Sequence, residues 1–358
     1  MSVFKKLNPV RRKVMHSLTR NIGKSSFPPV SGALKKGEIK RILIIRPNHR
    51  LGNLLLVTPL IQEIEQTFPK CKIDVFLKGN LGPIVLQNYK SVDKIPKLPR
   101  KPFKQLFQYG KSWVDLKKHR YDIVVNIDKG SSSGTLATKF ANADLKFFGN
   151  MEEDRPFEAE KFHMAKFPVY HFRECISRLG YSKNKKPVPS LNLELSTSEI
   201  AAGKKILDEL VKNNKKTIAI FTFATGRKRH SEEWWKEVYG SLLKKFADEY
   251  NIVEVLPVEN VSRIDFKAPS FYSKDIREIG AFIHNTAVFI GADSGIMHLA
   301  SASGTPTLGL FSCTNPDRYA PYNHGSMAVN TNTTSTEELI KLVGKALTET
   351  QKEKILFS

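Results

Sequence analysis

Apolar residues along this chain come in short unbroken runs, separated by longer stretches in which they recur every three or four positions. Arg41-Ile-Leu-Ile-Ile-Arg46 is one such run, and it predicts a strand buried on both faces of a sheet. A loop containing Pro47 and Gly52 follows. Leu54 to Phe68 then repeats at helical spacing and stops at Pro69, and Lys72 to Leu77 reads as the next strand. Strand, loop, helix and strand in that order form a βαβ unit and imply a parallel sheet. The alternation continues with a helix over Phe103–His119, a strand over Tyr121–Ile127, a small-residue loop Gly130-Ser-Ser-Ser-Gly134 and a helix from Glu158 to Leu179. Tyr181 to Ser190 holds three lysines and two prolines with no long periodicity, and reads as a linker.

The second half repeats the pattern. Helices are predicted over Ser198–Val211, Ser231–Tyr250, Lys274–His284, Ser294–Ala302 and Thr336–Gln351. Strands are predicted over Thr217–Phe223, Ile252–Leu256, Ala287–Ile290 and Pro306–Leu310. Ser231 caps its helix, with Glu232 and Glu233 in the first turn. The expected architecture is α/β, with two doubly wound, Rossmann-like parallel-sheet domains over 38–185 and 186–358 and ligands at the carboxyl ends of the strands.

Length and composition fit that division, with 358 residues and 41% hydrophobic content. No apolar run is long enough to span a bilayer. The opening Met1-Ser-Val-Phe-Lys-Lys lacks an apolar signal core, so a cytoplasmic location is expected. The net charge of +22 changes the picture, because it calls for an anionic partner. Residues 1–37 hold nine Lys/Arg and no Asp/Glu. Two readings fit this arm. One is a solubilising tail. The other is a basic segment lying on an anionic membrane, with Phe4, Leu7, Val10, Val14 and Leu18 at helical spacing. No motif for nucleic-acid binding and no aromatic–basic stacking array accompanies the charge, which argues against a nucleic-acid partner. Cys71, Cys175 and Cys313 are far apart, no zinc-like spacing occurs, and no metal or cofactor is expected.

Candidate chemistry concentrates near the C-terminus. In Val288-Phe-Ile-Gly-Ala-Asp293-Ser294-Gly295-Ile-Met-His298-Leu-Ala300 a strand ends at a helix start. Free amides and the positive helix end there suit a phosphate. Gly295 would let a ligand approach the backbone, and His298 lies one turn in. An ordinary capped helix fits the same string. A second cationic feature follows the strand ending at Phe223, where Thr225, Gly226, Arg227, Lys228 and Arg229 crowd a turn. Such charge would stabilise a departing diphosphate; a solvated basic turn is the alternative.

These motifs together resemble glycosyltransferase family 9, the heptosyltransferases of lipopolysaccharide core assembly. Asp293, Ser294, Gly295, His298 and Ala300 match its signature, as do Gly304, Thr305 and Pro306. Thr314, Pro316, Tyr319, Pro321 and Tyr322 fit its following loop. The resemblance runs from about Arg41 to Tyr322. It implies the GT-B arrangement, with two domains facing a central cleft, and inverting transfer without a metal. It assigns Lys228 to the donor phosphate, although His230 and Ser231 stand where Trp-Pro is usual. It also points to Glu259 for the donor ribose.

The N-terminal loop departs from that pattern. Gly52, Leu55, Thr58 and Pro59 agree with the family, but Asn53 stands where its catalytic Asp is expected. A carboxamide cannot take a proton at neutral pH. Another group then serves as base, the chain is a weak or inactive sugar-nucleotide binder, or Asn53 only positions the acceptor. Asp128, at the end of the strand Tyr121–Ile127, and His49 are the candidate bases, and each is equally readable as an ordinary loop residue. The resemblance implies an enzyme that moves a heptose or related sugar from a nucleotide diphosphate, ADP-linked by expectation, to a lipopolysaccharide core or other lipid-linked saccharide. The basic arm would hold it at the inner face of the cytoplasmic membrane.

Overall fold

The computed structural model describes residues 39–100, 105–128, 130–149 and 163–356. The basic arm over 1–37 lies outside them. The described residues divide into two compact units. The first takes 39–49, 60–149 and 166–189, and the second takes 50–59, 163–165 and 190–356. The loop segment Arg50–Pro59 therefore belongs with the C-terminal sheet.

The first unit contains β1 (Arg41–Ile45), α2 (Thr58–Thr67), β2 (Lys72–Lys78), α3 (Gly82–Val85), β3 (Val92–Lys94), β4 (Lys97–Leu98), α4 (Leu106–Lys118), β5 (Arg120–Asn126), α5 (Ser132–Phe140), β6 (Asn142–Phe147) and α6 (Phe167–Arg178). The short α1 (Leu51–Leu55) precedes α2 and lies in the second unit. The parallel sheet has the order β3-β2-β1-β5-β6, with β4 pairing beyond β3 on β2. Ile42, Leu43, Ile44 and Ile45 are all fully buried, as a central strand covered on both faces requires. One face packs Leu43, Ile45, Phe76, Tyr121 and Val124 against helices α4 and α5. A buried ion pair joins Arg173 to Glu63 at 2.6 Å, and Asn184 and the Lys186 carbonyl share it, tying the expected linker to α2 and α6.

The second unit holds α7 (Thr197–Val211), β7 (Lys216–Phe221), a 3₁₀ turn at Gly226–Lys228, α8 (Glu232–Phe246), β8 (Tyr250–Val255), β9 (Ser270–Phe271), α9 (Ile276–His284), β10 (Val288–Ala292), α10 (Gly295–Ala302), β11 (Thr307–Phe311), α11 (Pro316–Tyr319), β12 (Met327–Asn330) and α12 (Thr336–Leu356). Its parallel sheet runs β12-β11-β10-β7-β8-β9. Trp235, Val238 and Leu242 of α8 and Leu339 and Val343 of α12 cover one face over Ile218, Ile220, Val288 and Ile290. The two-domain parallel α/β expectation is therefore met.

Three local expectations change. Leu54–Phe68 is two helices rather than one, α1 ending at Leu55 and α2 starting at Thr58. Pro59 has no N–H to give the Leu55 carbonyl, which takes the Thr58 hydroxyl instead, at 2.8 Å. The loop Gly130–Gly134 already contains the start of α5, because Ser131 caps it by accepting from the Gly134 N–H. The helix expected from Glu158 begins, within the described residues, only at Phe167, with Pro168 in its first turn.

Candidate functional site

In the second unit, loops from the ends of three adjacent strands meet at Asp293. The strand β10 runs into it, and the Asp293 N–H still bonds the Leu310 carbonyl of β11 at 3.0 Å. Its carboxylate is nearly buried, at 4% exposure. Oδ2 pairs with Lys228 Nζ at 2.5 Å and accepts from Thr314 Oγ1 at 2.5 Å. Lys228 comes from the 3₁₀ turn after β7, and Thr314 from the loop after β11. One buried carboxylate thus fixes a cation and a polar loop beside the start of α10. Ser294 caps that helix, its hydroxyl accepting from the Met297 N–H.

His298 sits one turn further on, 4% exposed, with Nδ1 buried and without a hydrogen-bond partner. Burial pushes its pKa from 6.5 down to about 4; Asp293 opposes the shift, while His163 and Lys228 add to it. The ring is therefore neutral at physiological pH and offers a ligand hydrogen bonds without adding a charge. His163 completes this group, and nothing in the sequence pattern singled it out. Its Nδ1 accepts from the Ala165 N–H at 3.2 Å, which leaves Nε2 to donate to the Ala320 carbonyl at 2.7 Å. Its ring also lies 5.4 Å from that of Tyr322.

The helix α1 packs directly on α10. A Cβ at Gly52 would lie 2.7 Å from His298 Cδ2, and one at Gly295 would lie 3.1 Å from Leu51 Cβ. This corrects the reason given for Gly295, since the space beside its Cα is filled by Leu51. The missing side chain lets two helices touch, while the α10 amides still face the helix start. Asn53, half-buried on α1 next to Gly52, consequently belongs to the same unit as Asp293 and His298.

The other expected donor residues lie in the loops after β7 and β8. Thr225 is exposed immediately before the 3₁₀ turn, and Glu259 is exposed in the turn that follows β8. A buried glutamate, Glu254, lies earlier on β8 and accepts from Thr222 Oγ1 at 2.5 Å and Ser262 Oγ at 2.6 Å. It holds two loops together there. His230 stacks on Trp234 with ring centroids 4.3 Å apart and bonds Thr331 Oγ1, so this imidazole packs against the following helix.

In the first unit, Asp128 lies in the turn between β5 and α5, its N–H on Asn126 Oδ1 and its carbonyl accepting from Ser131. His49 follows β1 and lines a cavity of about 1260 Å³, whose wall includes Asn80, Lys97, Arg100, Gln108 and Lys111.

The second of two parallel α/β units thus gathers a cation and a neutral histidine at a capped helix start, an arrangement suited to an anionic ligand. The comparisons are specific. Residues 273–343 match the model of "Glycosyltransferase family 9 (heptosyltransferase)". The lipopolysaccharide core heptosyltransferase OpsX of Haemophilus influenzae is 21% identical over 302 residues, 80% of this chain and 82% of that protein. A family 9 glycosyltransferase structure from Veillonella parvula superposes with a TM-score of 0.71 at 17% identity, covering 89% of this chain and 99% of that one. The E. coli heptosyltransferase WaaC with ADP gives 0.64 at 16% identity, covering 86% and 99%. The chain has the GT-B fold and is a glycosyltransferase related to family 9.

Proposed function

We propose that the chain transfers a heptose or related sugar from ADP-heptose to a lipopolysaccharide core or other lipid-linked saccharide, with inversion and without a metal ion. The observation that carries this reading is the Asp293–Lys228–Thr314 cluster at the start of α10, beside neutral His298. The relatives support it by their names: one is a core heptosyltransferase, and another was solved with ADP. In the proposed complex the donor diphosphate meets the Ser294 and Gly295 amides, and Lys228 turns from Asp293 towards it. Charge accumulating on the leaving diphosphate is then met by fixed dipoles and one ammonium group. Thr225 and Glu259 contact the rest of the donor, Glu259 at the ribose.

The acceptor hydroxyl attacks the anomeric carbon from the face opposite the leaving group and loses its proton to a base. Asp128 and His49 are the proposed bases, with Asn53 positioning the acceptor. The enzyme works on the cytoplasmic side of the membrane that holds its acceptor. A second reading, a sugar-nucleotide binder of low turnover, is favoured by Asn53 itself.

Transfer from ADP-heptose decides between the two. Active wild-type protein, insensitive to chelator, supports the first. Lys228→Ala should weaken ADP binding about 10- to 100-fold, the worth of a hydrogen bond to a charged group. Unchanged ADP affinity would remove Lys228 from the site. Asp128→Ala and His49→Ala, singly and together, should cut turnover with little change in ADP affinity; full turnover in the double variant rejects both as bases. A large gain in Asn53→Asp would establish the low-turnover reading.

A further inference from the structure

The helix α4 in the first unit has two unlike faces. Inward, Ser112 and Leu116 are buried, and Trp113 packs against Phe76, Tyr109 and Phe140. Outward, Leu106, Phe107 and Val114 are 66%, 85% and 58% exposed, and Phe140 at the end of α5 adds a further 46% exposed ring. Phe107, Lys111, Val114 and Lys118 follow one another at intervals of three or four residues, which puts them on one stripe of the helix. Lys117 and Lys139 are exposed beside them, with Lys117 Nζ 5.4 Å from the Phe140 ring centre. The only acid on α4 is Asp115, and Lys118 pairs with it at 2.8 Å.

Large apolar side chains left in water among lysines mark a surface that meets something. A second copy of the chain would set lysines against lysines. The arm over 1–37, with nine Lys/Arg and no acid, has the same sign and offers no charge complement. A lipid surface bearing phosphate headgroups matches both halves of the stripe: the rings and branched side chains enter the interface, and the ammonium groups meet the phosphates. We propose that α4, with Phe140 beside it, is a docking surface for an anionic lipid bilayer. The inference stands on this surface alone and does not depend on sugar transfer. The neighbouring edge of α4 supplies Gln108, Ser112 and Asp115 to the cavity that His49 lines, and Lys111 borders both stripe and cavity, so one helix serves both.

The test is co-sedimentation of the full chain with vesicles of equimolar phosphatidylcholine and phosphatidylglycerol, against phosphatidylcholine alone. The wild-type chain should pellet with the anionic vesicles. Phe107→Ser with Val114→Ser, and separately Lys117→Gln with Lys118→Gln, should each weaken partitioning about tenfold or more. All four side chains are exposed, so melting temperature and the thermal shift with ADP should stay unchanged and report folding and donor binding separately. Deleting residues 1–37 should leave a helix-dependent component. Absence of wild-type binding overturns the proposal, as do variants that bind like wild type or binding lost only with the arm. So does a concentration-dependent dimer that Phe107→Ser with Val114→Ser abolishes, because the face would then join two copies.

Discussion

At Asp293, a single carboxylate oxygen receives both Lys228 and Thr314, so its charge is already spent within the protein. His298 beside it is neutral for a different reason, its burial. The histidine gives a pH prediction with a definite sign. Its folded pKa of about 4 lies below the ordinary 6.5. As pH falls from about 6.5 towards 4, the unfolded chain takes up a proton that the folded chain refuses. Unfolding is then proton-coupled, and stability drops across that window. Glu254 has the opposite sign, since burial raises its pKa, and its contribution is present below 4.5 and lost as pH rises through the folded value. The difference between wild type and His298→Gln isolates the imidazole. The melting temperature of the wild type should fall more steeply between pH 6.5 and 4 than that of the variant. Parallel curves would mean that the ring is protonated in the fold. The Asp293 motif was readable in the sequence because strand end, cap and helix are contiguous. His163 was not, because its partners Ala165 and Ala320 are held by backbone geometry that no residue pattern announces.

Among the elements, helix contacts without side chains carry the most consequence. Gly52 and Gly295 let α1 lie against α10, and any Cβ at Gly52 meets His298 Cδ2 at 2.7 Å. Gly52→Ala should therefore displace the imidazole or lift α1. We expect a cost of about 1–3 kcal/mol in stability, together with weaker ADP binding. Gly203→Ala is the contrasting case. Its Cβ would lie 2.4 Å from the Ala281 backbone where α7 crosses α9, with no donor-site residue in between. It should destabilise at least as strongly, yet leave ADP affinity per folded molecule unchanged. Urea titrations with and without ADP separate the two, and equal behaviour would detach α1 from the site. The central strands were legible because unbroken Ile/Leu/Val runs fit only a doubly covered parallel sheet. The strand β6, Asn142-Ala-Asp-Leu-Lys-Phe147, was not foreseen, since it is an edge strand with mostly polar outward residues. The break after Leu55 was hidden for the reverse reason. Leu54 to Val57 is continuously apolar and buried, and only the Pro59–Leu55 relation marks the end of a helix.

Across the whole molecule, the chain order and the compact units disagree at residues 50–59 and again at 163–165, and the first disagreement is testable. Residues 50–59 follow the first strand of the first sheet, yet they pack with the unit that carries Asp293. The expected domain division over 38–185 and 186–358 leaves no room for such an exchange, because it cuts the chain only once. A ligand that binds only the folded second unit stabilises whatever unfolds with it. Hydrogen exchange with and without ADP should thus slow amides in three segments of the C-terminal sheet, near Thr222–His230, Asp293–Ala300 and Ser312–Tyr319. It should also slow them in the distant stretch Leu51–Leu55. The helix α4 should exchange at an unaltered rate under ADP and slow instead when anionic vesicles are added. Protection at α4 by ADP, or none at Leu51–Leu55, would show that the chain does not divide its work along these lines. The pattern expected here gives each ligand its own unit. On the two proposals, the nucleotide would be held by a sheet that borrows a helix from the N-terminal part of the chain, and the lipid by a helix whose exposed rings the rest of its own unit leaves uncovered.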